Sequence, residues 1–342
     1  MDLAIVGISV LWLFLFGYII IASIDFGAGF FSAYSELANT KHILHHIIQR
    51  YLSPVWEVTN VFLVFFFVGM VGFFPSAAFY YGTILLVPVS ISNVLLAIRG
   101  SYYAFQTYGV KDSKIYTFLY GVAGLLIPAS LSIVLTISEG GFVEMVDGNP
   151  VLLYEKLFFS PLTWSIVILS VVSVLYISAT FLTAYADIAK DFDARRLLRK
   201  YALAWSGPTI LSATLIIWQL RQHNFSHFEK IMDIWWIFAL SGVFFVITVA
   251  LLWMKKYYSL AFWSLIIQFS LAFFGYGISH YPYLLYPYLT IYDGFTNDAM
   301  ATALIIAFIA GFALLIPSIW LLARLFLFNK SYVRGEKGKG GY

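Results

Sequence analysis

The sequence predicts an all-α integral membrane protein with nine transmembrane helices, its N-terminus outside and its C-terminus in the cytoplasm. Three observations lead there. The chain is 61% hydrophobic and 11% charged with a mean hydropathy of +0.87, whereas soluble domains carry about 25% charged residues. Its apolar stretches repeatedly reach the ~20 residues that a helix needs to cross a hydrocarbon core. Finally, the basic residues segregate: with an outside N-terminus, 17 of the 20 Lys and Arg fall on the inside, leaving only Lys156, Arg221 and Lys230 outside. That bias follows the positive-inside rule.

Taken in order, the expected spans are 5–32, 55–74, 77–98, 115–137, 161–186, 202–220, 232–253, 258–280 and 300–323. The first Lys or Arg is Lys41, so the N-terminal run lacks the basic n-region of a signal peptide and is too long for its apolar core. It reads as a retained helix. Pro54, Pro75, Pro161 and Pro282 mark span boundaries, while Pro88, Pro128, Pro208 and Pro317 fall within or near the starts of spans, where membrane helices accept a kink. The segment 138–160 is an acidic outside loop, and the Tyr- and Pro-rich stretch 281–298 reads as an ordered outer cap. Residues 1–328 thus form one polytopic domain, and the Gly- and Lys-rich segment 329–342 forms a short, mobile cytoplasmic tail.

Two acids stand out. Asp25 is the one ionisable side chain in Leu11–Phe31, and Glu57 follows Trp56 at the start of the second span. A carboxylate at bilayer depth costs several kcal/mol unless it is paired, hydrated or protonated. Asp25 lies beside Gly27-Ala28-Gly29 and Ala22, a smooth surface that lets a second backbone approach and shelters the acid from lipid. Two readings stand for it: a hydrogen bond to a neighbouring helix, or a proton site. Glu57 is open between a proton group and a headgroup-facing residue beside an interfacial Trp56. Thr59 and Asn60 could support it by holding water, and Arg99, at the end of the third span, could pair with either acid. For Arg99 the plainer reading, a positive-inside residue, is preferred.

The remaining chemistry is mostly exclusion. There is no cysteine, hence no disulfide, iron–sulfur cluster or thiolate haem ligand. No histidine falls at mid-span: His42, His45 and His46 are in the first inside loop, His223 and His227 in an outside loop, and His280 near the outer end of the eighth span. No haem or metal is therefore expected on this chain. Neither a phosphate-binding glycine loop nor a nucleic-acid surface is present. The fifth-span hydroxyls Ser165, Ser170, Ser173, Ser178, Thr180 and Thr183 read as interhelical glue.

Asp25-Phe26-Gly27-Ala28-Gly29, Trp56-Glu57, Arg99 and Leu289-Thr290-Ile291-Tyr292-Asp293, in this order and spacing, resemble subunit II of the cytochrome bd quinol oxidases over essentially the whole chain. The resemblance implies two four-helix bundles plus one further helix, in the bacterial cytoplasmic membrane. It implies a complex that oxidises quinol and reduces oxygen to water, with haems b and d in the partner subunit I and none here. Expected partners are that haem-bearing subunit I, a small single-helix accessory subunit and membrane lipid. The acids matching Asp25 and Glu57 would line a proton route. Many relatives carry another acid where this chain has Ala22, and Asn where it has Thr59, which leaves the detailed hydrogen-bond chain open. A proton-coupled secondary transporter is the main alternative, although neither inverted repeats nor broken midplane helices are evident. A structural assembly subunit is the other.

Overall fold

The computed structural model describes residues 2–108 and 114–327 together with Asn329 and Val333, and side chains throughout these except at 49–58, 103–108 and 327. The chain is a bundle of long helices joined alternately at two ends. The helices are α1 (Leu3–Leu37), α2 (Lys41–Phe73), α3 (Pro75–Ile84), α4 (Leu86–Tyr108), α5 (Lys114–Leu131), α6 (Ile133–Ser138), α7 (Tyr154–Phe159), α8 (Pro161–Ala189), α9 (Phe192–His223), α10 (Phe225–Asp233), α11 (Trp235–Met254), α12 (Tyr258–His280) and α13 (Asp298–Leu322), the last running into a π-turn at Ala323–Leu327. Two short antiparallel hairpins, β1 (Val143–Val146) with β2 (Asn149–Leu152) and β3 (Tyr283–Leu285) with β4 (Leu289–Thr290), lie in connections.

Among the described residues, seven helical segments are long and apolar enough to cross a membrane, and they correspond to the expected first, fourth, fifth, sixth, seventh, eighth and ninth spans. The second and third expected spans are broken differently. Residues 59–73 and 75–84 meet at an angle of 119°, and Leu86–Tyr102 is a shorter apolar helix. Two prolines account for the breaks. Phe74 precedes Pro75 and is held out of the helical region, at φ −129° and ψ 64°, while Pro75 starts α3. Pro88 lacks an N–H for the carbonyl four residues back, that of Ile84, where α3 ends.

Three sequence expectations fail here. Pro54 does not end a helix, because α2 begins at Lys41 rather than near residue 55 and runs through it; a long helix accepts one missing backbone bond when its neighbours support it. His42, His45 and His46 are accordingly in α2, not in a loop. The helix does not end at Arg99 either, since α4 continues to Tyr108. Of the tail, Asn329 and Val333 are described. Val333 is fully buried in the core of the bundle, so at that point the tail is docked.

The helices α1 and α8 are the centre. α1 packs on α2, α5, α8, α12 and α13, and α8 on α9, α1, α12 and α5. Close approach explains part of this. A Cβ on Gly27 of α1 would collide with Ser178 and come within 2.9 Å of the Val174 carbonyl of α8, and the Ser178 hydroxyl donates to the Ile24 carbonyl at 3.0 Å. The fifth-span serine does act as interhelical glue there. The periphery shows the opposite pattern: Val243, Val246 and Trp253 on α11, and Ile306, Ile309 and Leu314 on α13, are exposed, as expected where lipid is the solvent.

One end of the bundle gathers Asp2, the α2–α3 bend, residues 138–160, α10 and the 281–298 cap. The cap is ordered by its own bonds: the Tyr286 amide donates to the Ser138 carbonyl at 3.0 Å, the Thr296 amide to the Phe73 carbonyl at 3.0 Å and the Tyr292 hydroxyl to Asp2 at 3.0 Å. The other end carries Lys41, paired with Glu36 at 3.0 Å, and Arg195, paired with Asp187 at 2.6 Å. These are called the cap end and the basic end below.

Candidate functional site

Asp25 is 2% exposed in the middle of the protein. Helix α1 brings it, α4 brings Arg99 and α5 brings Tyr120. The Arg99 guanidinium donates from Nη2 to Asp25 Oδ2 at 2.9 Å and to the Asp25 carbonyl at 3.3 Å, and from Nη1 to the Tyr120 carbonyl at 2.9 Å. The Tyr120 hydroxyl donates to Asp25 Oδ1 at 3.2 Å. The guanidinium also lies over the Tyr120 ring at 3.9 Å, with Phe26 at 4.9 Å, and Tyr102 stacks on Tyr120 at 4.3 Å. Arg99 is 1% exposed. The plainer sequence reading of it as no more than a positive-inside residue therefore gives way to the other, a partner of Asp25. Its planar fork meets carboxylate, carbonyl and ring together, which a lysine could not do.

The glycines make room for this cluster. A Cβ on Gly29 would sit 2.5 Å from the Tyr120 ring and 3.0 Å from Arg99 Nη1, and one on Gly124 would sit 2.6 Å from the Phe26 carbonyl and 2.9 Å from Arg99 Nη1. The smooth surface expected around Gly27-x-Gly29 thus serves two contacts, α8 on one side and the guanidinium on the other.

Two further polar groups lie along the same faces. Tyr18 is seven residues before Asp25 on α1, and Ser92 seven before Arg99 on α4, so each is two turns nearer the cap end on about the same helix face. Both hydroxyls are buried and have no partner among the described residues. Of the other sequence candidates, Thr59 is buried on α2 and Asn60 is half-buried. The side chains of Trp56 and Glu57 lie outside the described residues. Tyr120 was missed because a tyrosine in an apolar span carries no signal until its neighbour is known.

A second buried carboxylate was missed altogether. Glu139, just past α6 at the cap end, is 2% exposed. It receives Tyr276 at 2.6 Å and Asn224 at 3.2 Å, and faces His227 Nδ1 at 2.9 Å. His280 Nδ1 is 3.8 Å from its other oxygen. Burial pushes this carboxyl up, but the His227 hydrogen bond and charge, with His280 and Tyr276, outweigh it and hold the group below its ordinary value.

A lipid-facing helical body around a buried charge cluster defines a polytopic membrane protein whose polar chemistry is internal. The family model for cytochrome bd terminal oxidase subunit II matches residues 3–326. A putative cytochrome bd menaquinol oxidase subunit II of Bacillus subtilis (strain 168) is 36% identical over 343 residues, covering 98% of each chain. A chain of the bd oxidase structure from Geobacillus thermodenitrificans superposes with a TM-score of 0.84 at 69% identity, covering 96% of this chain and 100% of that one. The chain belongs to the cytochrome bd terminal oxidase subunit II family. It is a multi-pass bacterial membrane protein and one subunit of an oxidoreductase complex.

Proposed function

We propose that this chain supports a haem-bearing subunit I in a quinol:oxygen oxidoreductase and contributes a proton route from the basic end through Asp25 and Glu57. On this reading the redox centres, haems b and d, belong to subunit I, and quinol is oxidised as oxygen is reduced to water. Menaquinol, carried in the name of the Bacillus subtilis relative, is the quinol we assign. The body is read as nine membrane crossings in two four-helix bundles plus one helix, with α3 and α4 jointly completing the third crossing and the basic end in the cytoplasm. A small accessory subunit belongs to the same picture.

The observation that carries the proton route is the polar thread in an apolar interior. Asp25, Arg99 and Tyr120 form its centre, and the unpartnered hydroxyls of Tyr18 and Ser92 continue it towards the cap end. Buried hydroxyls without protein partners are sites for ordered water, and water between titratable groups is what a proton relay requires. The direct bonds from Arg99 and Tyr120 to Asp25 favour a second reading, in which the cluster only anchors α1, α4 and α5 together.

The double variant Asp25→Asn/Arg99→Gln separates the two. It removes both charges of the pair, so an anchor should be largely restored and turnover with it. A proton route predicts assembled complexes with full haem content whose oxygen reduction is slowed roughly tenfold or more, the scale of losing a proton-transfer group. Tyr18→Phe is the milder companion. It deletes an unbonded hydroxyl and should slow turnover without lowering stability. Full turnover in both variants would return Asp25 to a packing role.

A further inference from the structure

We propose that Glu139, His227 and His280 bind one divalent transition-metal ion of the zinc class at the cap end. Three elements far apart in sequence supply them: the turn after α6, the short helix α10 and the last residue of α12. One ligating atom from each lies within 4.8 Å of the others. Two imidazoles and a carboxylate form the donor set that suits zinc, with further positions left for water or a hydroxyl.

The hydrogen-bond pattern brings an imidazole nitrogen directly onto the carboxylate. The Ser279 hydroxyl lies 2.9 Å from the Tyr276 carbonyl and 2.7 Å from His227 Nε2. The opposite nitrogen, Nδ1, faces Glu139 Oε2 at 2.9 Å and Oε1 at 3.0 Å. A ring N–H can donate from that nitrogen to the carboxylate, and a metal ion would take the place of that proton. His280 then distinguishes a metal site from a simple ion pair. A two-membered pair has no use for a second buried imidazole, yet His280 is held 3.8 Å from Glu139 Oε1 and 5.0 Å from the His227 ring, and its Nε2 is buried with no partner among the described residues.

Spacing and support also fit. Ligand atoms around a zinc ion at ~2.0–2.1 Å are about 3.3 Å apart; the imidazole–carboxylate distances are 2.9 Å to Oε2 and 3.8 Å to Oε1, and the widest ligand pair, within 4.8 Å, would have to draw together on binding. Tyr276 and Asn224 hold the carboxylate, and the Ser279 hydroxyl meets His227 Nε2. Such outer partners orient metal ligands and raise their affinity. An ion here would tie the turn after α6 to α10 and α12, beside the bond between Ser138 and the 281–298 cap. On this proposal the chain would hold a metal, against the sequence expectation.

The test uses the intact oxidase complex, stripped with chelator, supplied with zinc chloride, desalted and assayed for zinc against haem. About one zinc per complex should remain at this site, and zinc K-edge absorption should show two imidazoles among its ligands. His227→Gln and His280→Gln should each lower the affinity for zinc tenfold or more, roughly the loss seen when a metal's surroundings are disturbed, and the ion should raise the unfolding temperature of the wild type. Because a histidine variant could fail to assemble, Tyr276→Phe is added: it spares all three ligands and should weaken zinc retention at full haem content. No retained zinc, a wild-type spectrum without imidazole, or full retention in assembled His227→Gln and His280→Gln complexes would overturn the proposal.

Discussion

Two buried carboxylates, Asp25 and Glu139, are equally hidden from solvent but are neutralised in different ways. Asp25 meets a guanidinium, which keeps its charge under all ordinary conditions. Glu139 meets two imidazoles, a phenol and an amide. The first cluster is formed by the sides of three long helices in the body of the protein. The second is formed by a turn, a short helix and a helix terminus at one end. The difference suggests a rigid interior pair beside an adjustable outer one, and it can be broken at either site.

The largest effect should come from Arg99→Ala. It strands a carboxylate in the apolar interior, and losing one partner of a buried pair costs about 3–5 kcal/mol. The yield of assembled complex and its unfolding temperature should both drop, and the Asp25→Asn/Arg99→Ala double variant should recover part of the loss. A single variant as stable as wild type would mean that other groups compensate Asp25.

Next is Gly124→Ala, whose new methyl would meet the Phe26 carbonyl and Arg99 Nη1. Overpacking of this kind costs about 1–3 kcal/mol. Gly207→Ala is the matched control, because a Cβ there has nothing within 4 Å. Equal thermal stability of the two variants would show that the helices part easily and that the interior is not rigid.

Glu139→Gln should cost less than Arg99→Ala, about 1–3 kcal/mol, because the amide keeps a carbonyl acceptor for Tyr276 and Asn224. The pH dependence has a definite sign. The folded Glu139 carboxyl is held below its ordinary 4.5, so its stabilisation is present above that value and is lost as pH falls through the lower folded one. The wild-type advantage over Glu139→Gln in unfolding temperature should therefore shrink as acid is added below pH 4.5. An advantage that grew in acid would reverse the assignment. Smallest is Tyr120→Phe, which removes one hydroxyl bond to Asp25 and should cost about 1 kcal/mol, measured by thermal unfolding at constant haem content.

The helical membrane character, seven of the expected spans, and Asp25 beside a close-packing glycine surface were legible in the sequence. Each depends on local composition: apolar runs must match the hydrocarbon thickness, and an acid inside such a run must find a partner. Pro54 misled because a proline weakens one backbone bond, while packing along the rest of α2 decides whether the helix continues. Which partner Asp25 finds was decided only in three dimensions. Arg99 lies 74 residues away, and at the end of an apolar run it looked like any interfacial basic residue until α4 continued past it and turned it inward. Glu139, His227 and His280 carried no signal at all, since each is ordinary in its own segment. Pairwise chemistry of this kind depends on distance, and only the packing of α1 against α4 and α5, and of α12 against α10 beside the turn after α6, sets those distances.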